Sequence, residues 1–231
     1  MAKRPIFLPK TEAPFVRELE VEFKWFPGMA KSQAQKSIQS LHEASEALGY
    51  GPLLEISSKS ADPLGVALSA FNLMVSGPNR KPISVECAFQ GSKVFENGGP
   101  FEDLYEASSL DAKRDERIRN SGRIIEFRYY GQSFATQPVT AFYDWLYLRA
   151  LSQNEQLASQ IQLFAGFTDI AFNPEKSWNC QARAAAVYLG LTRLGKHQQA
   201  VDEPSWFFQS LIDGSMDATQ NRAGQGQLGF E

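Results

Sequence analysis

The chain is poor in the residues that build metal and disulfide sites. Across 231 residues it has two cysteines, Cys87 and Cys180, and two histidines, His42 and His197, far apart in sequence. Two cysteines cannot make a disulfide framework or a four-cysteine metal site, and so few soft ligands argue against zinc. A reduced, cytoplasmic compartment is the expectation. Long apolar runs are also missing: none reaches the roughly 18 residues of a membrane span, so an integral membrane protein is excluded. The first ten residues, MAKRPIFLPK, hold no apolar stretch of signal-peptide length, and prolines break them early. Nor is there an excess of positive charge. Lys and Arg number 23 against 26 Asp and Glu, a formal net charge of −3, which speaks against a protein that coats nucleic acid. What is present is an average globular composition, 43% hydrophobic, which excludes global disorder and suits a chain able to bury a real core.

The charge is unevenly divided. From Asp202 to Glu231 five acids (Asp202, Glu203, Asp213, Asp217, Glu231) face one base, Arg222, so this tail carries −4 and the rest of the chain +1. Residues 201–231 are therefore expected as an acidic tail, flexible after Gly214, where Gly, Gln and Asn accumulate. Residues 1–200 are expected as the folded domain, with about the first 20 as an extended arm. The opposite excess lies between Lys113 and Arg128, where six bases meet three acids. A solvated face and a phosphate-facing patch are both open there.

Hydrophobic spacing predicts the elements. Glu20–Trp25 alternates as a half-buried strand, and residues 30–48 carry apolar positions at helical spacing, stopped by Gly49. Leu53–Ser57 reads as a strand, and Asp62-Pro63 as an N-cap followed by proline. Phe71–Val75 and Ile83–Val85 read as paired strands around Gly77-Pro78-Asn79. A helix is expected over Glu86–Glu96, a strand over Ile124–Tyr129 turning at Tyr130-Gly131, and one long helix over Val139–Ala165. Phe167–Phe172 is expected to be extended, and Cys180–Leu194 a final apolar helix. The sum is one compact α+β domain, mostly helical with a few short strands.

Ser84–Phe95 is the informative segment. Glu86, Gln90 and Lys93 stand at i, i+4 and i+7, on one face of the expected helix, among small or apolar neighbours. A buried polar stripe must be satisfied by partners or by a ligand, so a structural stripe and an active site are both open. A literal G-x-G-x-x-G at Gly224–Gly229 follows no strand and opens no helix, so it is not read as a dinucleotide site. Cys87 and Cys180 read as small buried side chains.

The pattern S-x-E-x-x-x-Q-x-x-K, here Ser84 to Lys93, resembles the signature of the NADAR superfamily. Ser69-Ala70-Phe71-Asn72 stands for the strand before it, and Ala107–Arg114 for the small-residue stretch after it. Leu54–Ser60, Ala112–Asp115, Thr140–Tyr147 and Phe172–Arg183 resemble one branch: the antitoxins of DarT-type toxins, which ADP-ribosylate guanine in DNA. The resemblance covers about Val21 to Leu194. Where many members carry Asn-Phe-Tyr, this chain has Ala70-Phe71-Asn72. The resemblance implies an N-glycosidase that removes ADP-ribose from guanine, with a cognate toxin encoded in the same operon, no membrane association and no cofactor.

It implies Glu86 as principal carboxylate, as acid/base or stabiliser of an oxocarbenium-like state. Lys93 would act by charge or as an amine nucleophile, and Gln90 would orient either. Asp144 is a further catalytic candidate, with a buried acid paired to an arginine as the alternative. Asp169 and Glu175 both stand for the family's acid near the last helix. Asn72, Arg114, Asn173, Lys176, Asn179 and Arg183 are expected to bind substrate, the last four at a helix N-terminus suited to pyrophosphate. Arg119 and Arg123 join Arg114 as candidate contacts to DNA backbone or diphosphate.

Overall fold

Ile6 and Phe7 are neighbours with no exposed surface, so the strand that carries them is covered on both faces. The computed structural model describes residues 1–77, 81–175 and 177–225, with side chains as far as residue 214. Strand β1 (Ala2–Pro9) pairs antiparallel with β2 (Val16–Phe23), from Ala2 opposite Phe23 to Pro9 opposite Val16. In β2, Val21 and Phe23 point inward and Glu20 and Glu22 outward, as the alternation predicts. The residues of the expected N-terminal arm are extended, and β1 lies inside a four-stranded sheet of order β2-β1-β9-β3.

Helix α1 (Lys31–Ala47) lays Ile38 and Leu41 over one face of that sheet, against Ile6, Val21 and Phe23. Strand β3 (Leu53–Glu55) forms an edge. Helix α2 (Pro63–Ala67) starts as predicted, with the Asp62 carboxylate accepting from Leu64 N at 2.8 Å. Strands β4 (Met74–Val75) and β5 (Ile83–Ser84) pair antiparallel, shorter than expected; Pro78 and Asn79 of their predicted turn lie outside the described residues.

Helix α3 (Val85–Gly91) is capped by Ser84, whose hydroxyl accepts from Cys87 N at 3.1 Å, a contact worth about 1 kcal/mol. The helix does not run on to Glu96. Ser92 turns its hydroxyl back to Ala88 O, and strand β6 (Lys93–Phe95) begins at once. Val94 and Phe95 suit a strand, and a partner is at hand. After a turn of 3₁₀ helix at Glu102–Glu106 come α4 (Ser109–Arg114), α5 (Glu116–Asn120) and that partner, β7 (Ile124–Tyr129), with Lys93 opposite Phe127. The hairpin into β8 (Gln132–Phe134) turns at Tyr130 (φ 46°) and Gly131 (φ 82°), two positive-φ residues that match the twist of paired strands.

The predicted long helix is broken. Helix α6 (Ala141–Ser152) ends where Asn154 donates to Ala150 O at 2.7 Å and Met74 O at 3.1 Å, while Gln153 accepts from Ser76 N at 2.7 Å. These amides serve the edge of β4 in place of the helix. A short α7 (Glu155–Gln160) follows. Strand β9 (Gly166–Thr168) then runs between β1 and β3, parallel to β3, with Glu55 opposite Thr168. Helix α8 (Gln181–Arg193) packs on α6 in the main core, and α9 (His197–Asp202) leads to α10 (Pro204–Gln225).

The stretch expected as an acidic tail carries helix α10. Phe207 and Leu211 are buried in the main core, so apolar contact fixes the start of α10 to the domain. The expected flexibility after Gly214 concerns side chains, and at 226–231 a backbone, outside the described residues, as does most of the Gly224–Gly229 run. With 46% helix against 19% strand in small sheets, the fold is the mostly helical α+β class expected. Among the described residues no helix is long and apolar enough to cross a membrane.

Candidate active site

All seven residues of α3 are buried, so its polar side chains must find partners inside the protein. Gln90 Nε2 donates to Glu86 Oε1 at 2.9 Å, and Lys93 Nζ donates to Gln90 Oε1 at 2.7 Å. The three expected residues therefore form a chain with the amide as bridge. Glu86 and Gln90 share a helix face, whereas Lys93 joins them from the first position of β6. Among the described residues no ion pair within 4 Å links Glu86 to Lys93. The ammonium also lies 4.5 Å from the Phe89 ring centroid. Burial pulls the Lys93 amine down from 10.5 to about 8, opposed by the charge of Glu86 and helped by that of Lys113.

This chain opens on a cavity of about 490 Å³. Asp169 and Gln181, just after β9 and at the start of α8, also line it. Gln181 Nε2 donates to Asp169 Oδ2 at 3.0 Å and to Ile56 O at 2.7 Å, while its oxygen accepts from Ala70 N at 2.8 Å. Ala70 O in turn accepts from Glu86 N at 2.9 Å, so Ala70 links the Gln181 side chain to the start of α3. Burial, and then the charge of Glu55, push Asp169 up to about 7. From α4, the Ser109 hydroxyl donates to Phe71 O at 2.9 Å and lies 2.8 Å from the capping Ser84 hydroxyl, and Lys113 lies over the Phe71 ring at the cavity wall. A second cavity of about 570 Å³ adjoins the first, sharing Phe89, Lys93 and Asn179; Trp178, 71% exposed, lines it. Two carboxyls lining one cavity, with an amine shared by both cavities, suit acid–base work on a substrate seated there.

A family model described as DarT1-associated NADAR antitoxin matches residues 2–221. The chain belongs to that family. No curated protein is similar enough to count as a relative. NADAR is in general an N-glycosidase superfamily, and this family carries an antitoxin role.

In this NADAR chain the tertiary structure sorts the expected site residues. Glu86, Gln90, Lys93, Asn173 and Asn179 line the first cavity. Asp144 does not. It has no exposed surface, and its carboxylate is ion-paired with Arg183, whose Nε also lies 3.4 Å from Glu18. This is the alternative arrangement weighed for Asp144, a buried acid held by an arginine, and Arg183 is engaged in that pair. Asn72 is also outside the cavity lining, and its amide donates to Val66 O at 2.9 Å. Arg114 is exposed at the end of α4, and its neighbour Lys113 takes the place at the cavity. Lys176 lies outside the described residues.

Of the two loosely placed acids, Asp169 lines the cavity and Glu175 is exposed beyond it. The N-cap of α8 is Cys180, so no side-chain oxygen caps its first turn, and Asn179 is left to face the cavities. Half of the bases in the stretch are ion-paired. Arg117 pairs with Asp103 at 2.6 Å and Asp115 at 2.9 Å, Arg123 with Glu96 at 3.0 Å, and Arg128 with Glu126 at 3.2 Å. Sequence reasoning missed Tyr143, Gln181 and Lys113 in the lining. Gln181 carried a signal, as a lone amide beginning an apolar helix, but only its three distant partners make it a site residue.

Proposed function

We propose that this NADAR antitoxin is an N-glycosidase that removes ADP-ribose from guanine bases in DNA, reversing the modification made by a DarT-type toxin. The observation that carries this reading is the buried Glu86–Gln90–Lys93 chain, which lines one cavity together with Asp169. Breaking the bond between the ribose anomeric carbon and the base nitrogen develops positive charge on the ribose. Glu86 stabilises that charge and takes a proton from the incoming water. Asp169 gives a proton to the departing guanine nitrogen. The water oxygen ends on the anomeric carbon, and the proton taken by Glu86 returns to Asp169 through solvent after release.

The open first turn of α8, beside Asn173 and Asn179, supports a diphosphate there. Lys93 holds a ribose hydroxyl or phosphate by charge when protonated. With its amine near 8, it also reaches the neutral form needed to attack the anomeric carbon, expel guanine and open the ribose to an imine. Borohydride trapping of a Lys93 adduct separates the two roles.

The decisive assay incubates the protein with ADP-ribosylated guanine in single-stranded DNA, beside Glu86→Gln. ADP-ribose released by wild type alone supports the proposal, and release by neither sinks it. One observation favours a second substrate class: three of the six bases in the 113–128 stretch are already ion-paired, which weakens the case for DNA backbone contacts. Faster cleavage of a free N-ribosyl metabolite than of the DNA adduct would establish that reading. Neutralisation of the toxin by Glu86→Gln would establish a third, in which the antitoxin binds and blocks its toxin without catalysis.

A further inference from the structure

The second cavity, of about 570 Å³, differs in chemistry from the first. Phe89, Ile124, Ile125, Phe127, Val139 and Trp178 form most of its lining. The first is lined mainly by polar groups, with Glu86, Lys113, Asp169 and Gln181 among several serines. Phe89, Lys93 and Asn179 belong to both, so the two cavities meet at the Lys93 amine. Arg123, the other cation of the second cavity, is ion-paired with Glu96. A ligand entering there is held by apolar surface and stacking more than by charge.

Trp178 sets this cavity apart. Of the four tryptophans, Trp25 packs its ring on Phe23, Trp145 on Tyr129 and Trp206 on Phe15. Among the described residues Trp178 has no such aromatic neighbour and no cation over its ring. It is left in water together with Ile125 and Val139, which line the same cavity and are also exposed. A cluster of exposed apolar side chains at the mouth of a cavity is a binding surface. Asn179, the next residue in the chain, has its Oδ1 buried without a hydrogen-bond partner. That oxygen needs a donor, and an N–H of a ligand supplies one.

We infer that the second cavity is a nucleobase subsite, in which Trp178 stacks on the guanine that carries the ADP-ribose and Asn179 accepts an N–H of that base, while the ADP-ribose occupies the first cavity. The bond to be broken joins a polar, anionic group to a flat aromatic base. Placed at Lys93, that bond sends each part into the cavity whose lining matches it. Stacking on an indole uses the π-face that every base presents. In single-stranded DNA the base leaves its neighbours at little cost. Stacking also holds a DNA strand without the arginines that are already ion-paired. The inference takes the identity of its ligand from the hydrolase reading, and it makes Trp178 a specificity residue that favours a base in a strand over ribosylated compounds without one.

The test measures affinity in the Glu86→Gln protein, which should hold the adduct without turning it over. Two probes are compared. One is a labelled single-stranded oligonucleotide with one ADP-ribosylated guanine, followed by fluorescence anisotropy, and the other is free ADP-ribose, followed by calorimetry. Adding Trp178→Ala should weaken the oligonucleotide by about five- to a hundredfold and leave ADP-ribose unchanged. Adding Trp178→Phe in its place should recover most of that loss, because it restores a ring. Three results overturn the inference: unchanged affinity for both probes, an equal loss for both, which would assign the indole to ADP-ribose itself, or no recovery with Trp178→Phe. An oligonucleotide bound no more tightly than free ADP-ribose also overturns it. The hydrolase reading is judged separately, by ADP-ribose release from the wild type. Release combined with an unaltered oligonucleotide affinity in Trp178→Ala removes this inference alone. No release, with the Trp178→Ala loss intact, removes the hydrolase reading and leaves the nucleobase subsite standing.

Discussion

Replacing Lys93 by Met should make the protein more stable at neutral pH while removing its activity. The side chain is only 8% exposed, so its charge is carried largely without water. Its amine falls from 10.5 to about 8 on folding. At roughly 1.4 kcal/mol per unit, holding the ammonium inside the folded protein costs about 3 kcal/mol at pH 7. Methionine keeps the apolar stem against Phe89 and gives up the charge. It also leaves the Gln90 oxygen without its donor, a loss of about 1–2 kcal/mol. The net expectation is a gain of about 1–2 kcal/mol, read by urea unfolding at pH 7.

The pH dependence fixes the sign. Between pH 8 and 10.5 the unfolded chain holds a proton on Lys93 that the folded chain does not. Wild-type stability from this group is therefore full above 10.5 and is lost as pH falls through 8. The advantage of Lys93→Met should be largest at pH 7 and should shrink steadily as pH is raised toward 10. A variant less stable than wild type at pH 7, or an advantage that does not change with pH, would refute the reasoning. Such a buried cation is a stability cost retained at a site where chemistry needs it.

Three further outcomes are expected. Asp144→Asn breaks the buried pair with Arg183 and should lower stability by about 3–5 kcal/mol in denaturant unfolding; the folded fraction should keep its kcat, because Asp144 lies outside the cavity. Phe207→Ala should cost about 3–5 kcal/mol if α10 belongs to the core, whereas an unchanged thermal midpoint would restore the reading of a detached tail. Arg114→Glu with Arg119→Glu removes the two bases of the 113–123 arginine series that make no ion pair; KM for the DNA adduct should rise and its salt dependence weaken, with kcat for a free N-ribosyl substrate unmoved.

Much of this protein is local enough to be read along the chain. The cap at Ser84, the Asp62-Pro63 helix start, the stop at Gly49 and the turn at Tyr130-Gly131 each depend on a few neighbouring residues, and each appears where its residues are. The spacing of Glu86 and Gln90 puts them on one face because helix geometry alone does so. The apolar pattern also located α8, which packs on α6 in the core.

The tertiary structure decided what depends on contacts far apart in sequence. Lys93 stays beside Gln90, yet it sits on a strand, because β7 offers Val94 and Phe95 a partner that no local pattern shows. Apolar periodicity carried one helix through residue 154, but Gln153 and Asn154 bond to β4, about eighty residues earlier, and end it. Asp144 and Asp169 look alike as single acids among apolar neighbours. One is ion-paired with Arg183 inside the core, and the other faces the cavity because Gln181 holds it there. The basic stretch counts +3 in the sequence, but its acids fold onto its own arginines, and only the structure shows which cations are left over. Composition determined that few soft ligands were available. Folding determined which carboxyls, amide and amine meet around one cavity, because burial and charge pairing are properties of contacts, not of residues.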